Sequence, residues 1–308
     1  MGATIMNETG ILIVNKAQDM TSHDCVNIVR RATKIKRVGH TGTLDPMATG
    51  VLPICVGKAT KIADYISLGD KRYEAEFRLG IRTDTYDITG EILEKKEANI
   101  SEEAFAEAIR SFEGEGTQLP PMYSAKKVNG KKLYHLARKG IEIERDPIPI
   151  HIHQIHILDM GRDWAKIDVK CSKGTYIRTL IDDIGQKLGC GACMTKLTRT
   201  ECGIFKLSDK RVVDIMSLKK SDSRCLEKLI PADKLFQHFD MLTFAYEFET
   251  KLKNGLYLPL NFLGLKEEDV LEGTIFRGYS TTGEFLGLVQ VVLNDQDQKR
   301  LKVSKSFY

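Results

Sequence analysis

The residues between Gly39 and Lys61 hold the densest group of side chains that could do chemistry. His40, Thr41, Thr43 and Asp45 stand immediately before an apolar stretch, so a carboxylate is presented at the lip of a hydrophobic wall. Paired with Asp84 or Asp87, such a carboxylate could serve glycoside hydrolysis, which needs two acids at a defined separation. Taken alone, Asp45-Pro46 is an ordinary turn dipeptide. Two other clusters look like ligand sets. Cys190-Gly191-Ala192-Cys193 with Cys202 nearby lacks a second Cys pair or a His pair at zinc spacing, and reads as buried or half-buried thiols. His151, His153 and His156 lie in a stretch that alternates polar and apolar residues, which puts three imidazoles on the solvent side of a strand. No metal is expected.

The elements that must position Asp45 follow from periodicity. Its own segment is rich in Gly, Thr and Pro, cannot be one regular element, and reads as a long structured loop. Before it, Gly10 to Lys16 reads as a short buried strand, and Thr21 or Ser22 caps a helix carrying Val26, Val29 and Ala32. After it, Tyr73, Ala75, Phe77 and Leu79 alternate with Arg72, Glu74, Glu76 and Arg78, a strand with Tyr73 on its inward face. Ser101 starts a helix with Phe105, Ala108, Ile109 and Phe112 on one side, ended by Gly114. An Asn129-Gly130 turn precedes a predicted helix over 131–138, capped by Gly140. Two strands then lead into a Ser172-Lys173-Gly174 turn and a helix with Ile177, Leu180, Ile181, Ile184 and Leu188 on one face. From about residue 240 the pattern becomes short strands separated by Gly and Asn turns.

Several of these segments resemble one family. Arg37-Val38-Gly39-His40-Thr41-Gly42-Thr43-Leu44-Asp45-Pro46, with Ala48-Thr49-Gly50-Val51-Leu52-Pro53, is similar to the catalytic motif of the TruB family of tRNA pseudouridine-55 synthases. In family order there follow Lys71-Arg72-Tyr73, Gly80 with Arg82-Thr83-Asp84-Thr85, Pro120-Pro121-Met122-Tyr123-Ser124-Ala125 with Lys127, and Cys171 to Arg178. Five ordered motifs over residues 10 to 205 are far more specific than any one of them.

The resemblance implies isomerisation of a uridine in the T arm of transfer RNA, with Asp45 as the essential, nucleophilic carboxylate and no cofactor. The N1 to C1′ bond breaks, the uracil turns, and C5 joins C1′. Residue types leave open whether Asp45 attacks C1′, adds to uracil C6, or removes a ribose proton. By the same resemblance Arg178 pairs with Asp45 and Tyr73 lies against the uracil and helps remove the C5 proton. Tyr176 and Leu197 line the pocket, and His40 fills the T loop when the base is extruded. Lys61 and Lys16 contact phosphates. One motif departs from the family: Lys16-Ala17-Gln18-Asp19-Met20-Thr21-Ser22 lacks the usual Pro and Gly, which puts the loop near Lys16 in question. A tRNA-folding role can coexist with catalysis, and a noncatalytic RNA-binding protein on the same scaffold is the rival reading.

Composition agrees with these expectations without demanding them. Hydrophobic residues are 42% of the 308 and charged ones 29%, enough for a sizeable core. A net charge of +4 permits a phosphate-rich partner. No apolar run is long enough for a signal or a membrane span, so the expected location is the cytoplasm, as a monomer without an obligate protein partner. The expected fold is α+β: a catalytic domain over 1–238 with a largely antiparallel sheet, and a small β-rich domain over 239–308 resembling the PUA-like RNA-binding domain.

Overall fold

The computed structural model describes residues 9–128, 130–218 and 223–308. The larger of its two main sheets has ten strands. In spatial order its path is Val213–Asp214, Gly10–Lys16, Thr49–Val56, Ala192–Cys202, Lys71–Leu79, Trp164–Cys171, Ile148–Met160 and Gly114–Gln118, with Val38–His40 and Phe205–Lys206 paired at its sides. All pairs are antiparallel except two short contacts, Gly10–Lys16 with Val213–Asp214 and Ala192–Cys202 with Thr49–Val56. The fold is α+β with a largely antiparallel central sheet.

Sequence pattern follows burial. The unbroken apolar run of Gly10–Lys16 reflects cover on both faces: Leu12 and Val14 belong to one core cluster, Ile11 and Ile13 to another. The alternating strand Lys71–Leu79 buries Ala75, Phe77 and Leu79 with Leu180, Ile181 and Ile184 of the helix Ile177–Lys187. Its other face carries Arg72, Glu74 and Glu76, paired across the sheet with Asp168, Lys166 and Lys196. Thr21 caps the helix Ser22–Thr33 in a reciprocal box with Asp24, and Ser101 caps Glu102–Arg110.

The expected helix over 131–138 is shorter than its pattern suggested. Lys131–Lys132 pairs with Lys127–Val128, and only Leu133–Ala137 is helical. Leu133 is the one buried residue in that stretch, so no apolar stripe supports further turns. Asn129 of the expected turn lies outside the described residues.

The second sheet runs Met241–Phe244, Ile275–Ser280, Phe285–Leu293, Lys299–Ser306 and Leu258–Pro259 around a core that includes Phe244, Leu252, Val289, Val291 and Leu301. Leu288 and Phe307 instead pack with Ile11, Ile13, Ile62 and Phe236, an apolar seam between the two sheets. Among the described residues, no helix is long and apolar enough to cross a membrane.

Candidate active site

A pocket of about 320 Å³ opens where the Asp45 loop meets the strands Lys71–Leu79 and Ala192–Cys202 and the start of the helix Ile177–Lys187. Asp45, Tyr73, Tyr176, Arg178 and Leu197 all line it. Asp45 is the sole carboxylate among its lining residues.

The loop is fixed from several sides. Leu44, before Asp45, is buried, and its N–H donates to Ser22 Oγ at 2.8 Å. The Pro46 carbonyl, after Asp45, accepts from Lys16 Nζ at 3.0 Å and from the Asp19 N–H at 2.9 Å. Downstream, Gly50 has φ 102 and lies so close to the next strand that a Cβ would stand 2.2 Å from the Arg199 carbonyl oxygen. Only glycine meets both demands. A carboxylate on a loop pinned in this way is held ready before any substrate arrives.

Lys16 corrects an expectation. It is fully buried, and its ammonium donates to the carbonyls of Ala17, Met20 and Pro46 at 2.7 to 3.0 Å. It pins the loop and presents nothing to a phosphate. Burial lowers its pKa to about 8. The atypical sequence beside it keeps a glycine-like backbone, because Asp19, at the position of the family's glycine, adopts φ 61. Aspartate tolerates that region better than most residues.

Arg178 is 5% exposed and makes contacts on every side of its guanidinium. Nε lies 2.9 Å from Asp45 Oδ2 and Nη2 donates to Oδ1 at 3.0 Å, a two-pronged pair that fixes the carboxylate plane. Nη2 also donates to the Tyr123 carbonyl at 2.7 Å and Nη1 to that of Thr85 at 3.0 Å. Behind it, Asp87 Oδ2 lies 3.6 Å from Nη1. Asp87 is buried, and its other oxygen accepts from Thr85 Oγ1 and from the Thr89 N–H. Asp84 accepts from the Glu91 N–H and from the Tyr123 hydroxyl. Both acids are committed to this scaffold and neither lines the pocket, which removes the paired-carboxylate hydrolase reading.

Tyr73 sits on the central strand with Ala75 and Phe77, and burial pushes its phenol up to about 12. Its neighbour across the strands is Arg199. Tyr176 caps the helix that carries Arg178, and the buried Gln118 side chain bonds both its N–H and its carbonyl at 2.9 and 3.2 Å. Burial also raises the Tyr176 phenol pKa. Lys71, Ser124 and Arg199 are among the lining residues to which the sequence assigned no role. The alternation that turned Tyr73 inward does the same for Lys71 one step earlier, and the alternation from Leu197 reaches Arg199.

The remaining candidates stand outside the pocket lining. His40 is half-buried at the end of Val38–His40, and its Nδ1 accepts weakly from the Gly42 N–H at 3.4 Å. Burial and, next, the charge of Arg199 lower its pKa, so the imidazole is neutral near pH 7. Lys61 donates to the carbonyl and hydroxyl of Ser306 at 2.8 and 2.9 Å, and so ties the short 3-10 helix Gly57–Ile62 to the last strand. One N–H of the ammonium and its charge remain unpaired by these neutral oxygens.

Comparison with known proteins agrees with this geometry. Residues 30–177 match the family described as TruB family pseudouridylate synthase, N-terminal domain, and 178–237 match the tRNA pseudouridylate synthase B C-terminal domain. A protein of Clostridium acetobutylicum named tRNA pseudouridine synthase B is 47% identical over 279 residues, 91% of this chain and 94% of its own. One of the same name from Alkaliphilus oremlandii is 42% identical over 97% of this chain and 98% of its own. The fold is shared with a chain of a Cbf5-Nop10-Gar1 complex, at a TM-score of 0.71, 23% identity, and coverage of 99% of this chain and 86% of the other. The chain belongs to the TruB family of pseudouridine synthases.

Proposed function

We propose that this protein isomerises uridine-55 in the T loop of transfer RNA to pseudouridine, with Asp45 as the nucleophilic carboxylate and no cofactor. The observation that carries the reading is the single carboxylate in the pocket, gripped on both oxygens by a buried arginine. The grip holds the plane of the Asp45 carboxylate and aims it into the pocket. Leu197 and Tyr176 offer apolar walls to an extruded uracil, and a closed pocket keeps the detached base from leaving before C5 rejoins C1′. Tyr73 is the group proposed to assist loss of the C5 proton. Partly buried on the central strand, it meets the substrate as a neutral phenol.

RNA engagement is assigned to His40, whose neutral ring suits stacking in the emptied T loop, and to Lys61 together with exposed lysines. Residues 239–308 are proposed as a separate RNA-contacting unit. The protein is expected to work in the cytoplasm as a monomer. Incubation with an unmodified tRNA transcript, followed by pseudouridine mapping at nucleotide resolution, tests the reading. One pseudouridine at position 55 is expected. Asp45→Asn should give no product while still binding the RNA, since it changes charge with little change in shape. Full activity in that variant would overturn the role of Asp45.

A further inference from the structure

Arg199 is among the largest fully buried side chains of the protein, at 1% exposure, yet its charge has no carboxylate partner among the described residues. Nε donates to the Val51 carbonyl at 2.8 Å and Nη2 to the Gly42 carbonyl at 3.3 Å. Those bonds brace the Asp45 loop, but a neutral donor could supply them. Burying an uncompensated cation is costly, and Arg199, unlike the equally buried Lys16 that only pins the loop, lines the pocket. Lys71 repeats the pattern: it is 9% exposed and its ammonium bonds the carbonyls of Ser67 and Gly69. Both cations line the pocket. Arg199 stands two residues from Leu197 on one strand face and across from Tyr73, on the wall assigned to the uracil.

The proposed reaction develops negative charge on the base by every route open to Asp45. If Asp45 attacks C1′, or removes a ribose proton to give a glycal, the N1–C1′ electron pair leaves with the uracil and spreads over N1 and the carbonyl oxygens. If Asp45 adds at C6, the charge appears on the ring as an enolate. The cycle closes when C5 bonds to C1′ while Asp45 is released from C1′ or C6, or returns the ribose proton to the glycal, and the C5 proton is lost as N1 takes one up, so no net charge or atom is gained.

Resting on the proposed reaction, we infer that Arg199, seconded by Lys71, is the electrostatic partner of the anionic uracil, and that its charge is left unpaired within the protein so that the substrate can pair it. A preorganised cation in a site shielded from water stabilises such an anion without reorganising at the moment of bond breaking.

The test is single-turnover conversion of two T-arm RNAs, one with uridine and one with 5-fluorouridine at the target. The rate read in both is loss of the unmodified nucleotide. Fluorine withdraws electrons and makes the ring a better leaving group, so a site without its cation should be less handicapped with it. Arg199→Met is expected to slow the uridine substrate by about 100-fold and the fluorinated one by about 10-fold or less. Arg199→Lys, which keeps the charge and loses the fork, should remain within about 10-fold of wild type on uridine. Arg199→Gln, with an N–H for the Val51 carbonyl, replaces the Met variant if that one does not fold. Equal slowing on both substrates would overturn the inference, as would a Lys variant as slow as the neutral ones while melting and binding RNA like wild type. Absence of pseudouridine with the wild-type protein would instead overturn the reaction on which the inference rests.

Discussion

Two buried arginines face one pocket and are treated in opposite ways. Arg178 meets Asp45 and Asp87, and its remaining N–H groups go to two carbonyls. Arg199 meets carbonyls and the neighbourhood of a phenol, with no carboxylate among the described residues. The first arrangement is closed: the cation is held between two carboxylates and the geometry of one of them is fixed. The second is open, and leaves positive potential on the side where the base is expected. The contrast separates two tasks that a cation can perform in an active site, holding a reacting group and receiving developing charge.

The largest effect should come from breaking the closed side. Arg178→Met would leave Asp87 buried without its cation and Asp45 without its grip, and loss of one partner from a buried pair costs about 3–5 kcal/mol. We expect loss of activity by about 1,000-fold or more and a clear fall in melting temperature. Arg178→Lys should not rescue either, because one ammonium cannot span the fork and both carbonyls. A Lys variant with near-normal turnover would show that charge alone suffices at Arg178 and would erase the contrast with Arg199. Asp87→Asn is the next step down. It keeps the oxygen that serves Thr85 and Thr89 but removes the second negative charge, so a loss of about 10- to 100-fold in turnover is expected with RNA affinity unchanged. That corresponds to about 1.4–2.7 kcal/mol of transition-state stabilisation. Unchanged turnover would reduce Asp87 to a turn residue.

The closed side was partly legible in the sequence and the open side was not. Asp45 and Arg178 stand 133 positions apart, and nothing local links them; the ordered motifs did. Tyr73 was placed inward by alternation, a local signal that a central strand covered on one face obeys. Arg199 and Lys71 sit on the same alternating faces, yet lysine and arginine are ordinarily solvated, so sequence periodicity offered no reason to place them inside. The same prior misassigned Lys16 to a phosphate. Its partners are backbone carbonyls contributed by irregular segments, and a carbonyl acceptor carries no residue identity. Gln118, which clamps Tyr176, was invisible for a similar reason: it acts on the backbone of a residue 58 positions away.

A smaller effect is expected from the pins that hold the closed side in place. Lys16→Met removes three bonds to carbonyls and also the penalty for burying an ammonium. Loss of the bonds outweighs the relief, since each buried acceptor left unpaired costs about 1–3 kcal/mol. We expect about 2 kcal/mol of destabilisation near pH 7, roughly 3 °C in melting temperature for a chain of this size. The pH dependence identifies the cause. Unfolded, this lysine holds its proton up to 10.5; folded, only to about 8. Between those values the unfolded state binds more protons, so Lys16 contributes a rise in stability as pH climbs through that window, and its penalty is fully present below it. Melting temperatures from pH 7 to 10 should show that contribution in wild type and its loss in Lys16→Met. Identical slopes would mean that Lys16 does not titrate there.

Asp19 gives the smallest and sharpest probe of the same pin. Its backbone is left-handed at φ 61, where an ordinary L-residue bears roughly 1–2 kcal/mol of strain. Its carboxylate also acts on Lys16, in the direction that favours the charged ammonium. Asp19→Gly relieves the backbone but makes the unfolded chain more flexible and removes the carboxylate, three terms that offset one another. We expect a net change within about 0.5 kcal/mol, whereas Asp19→Val, which suits that backbone least, should cost about 1–2 kcal/mol. The charge term appears separately. Without Asp19 the Lys16 proton is held less tightly, so the rise in stability with pH should begin at a lower pH in both Asp19→Gly and Asp19→Asn. The asparagine variant retains tolerance of the left-handed backbone and so isolates the charge. If its pH profile overlays that of wild type, Asp19 serves the loop by conformation alone, and Lys16 is held by its three carbonyls without help.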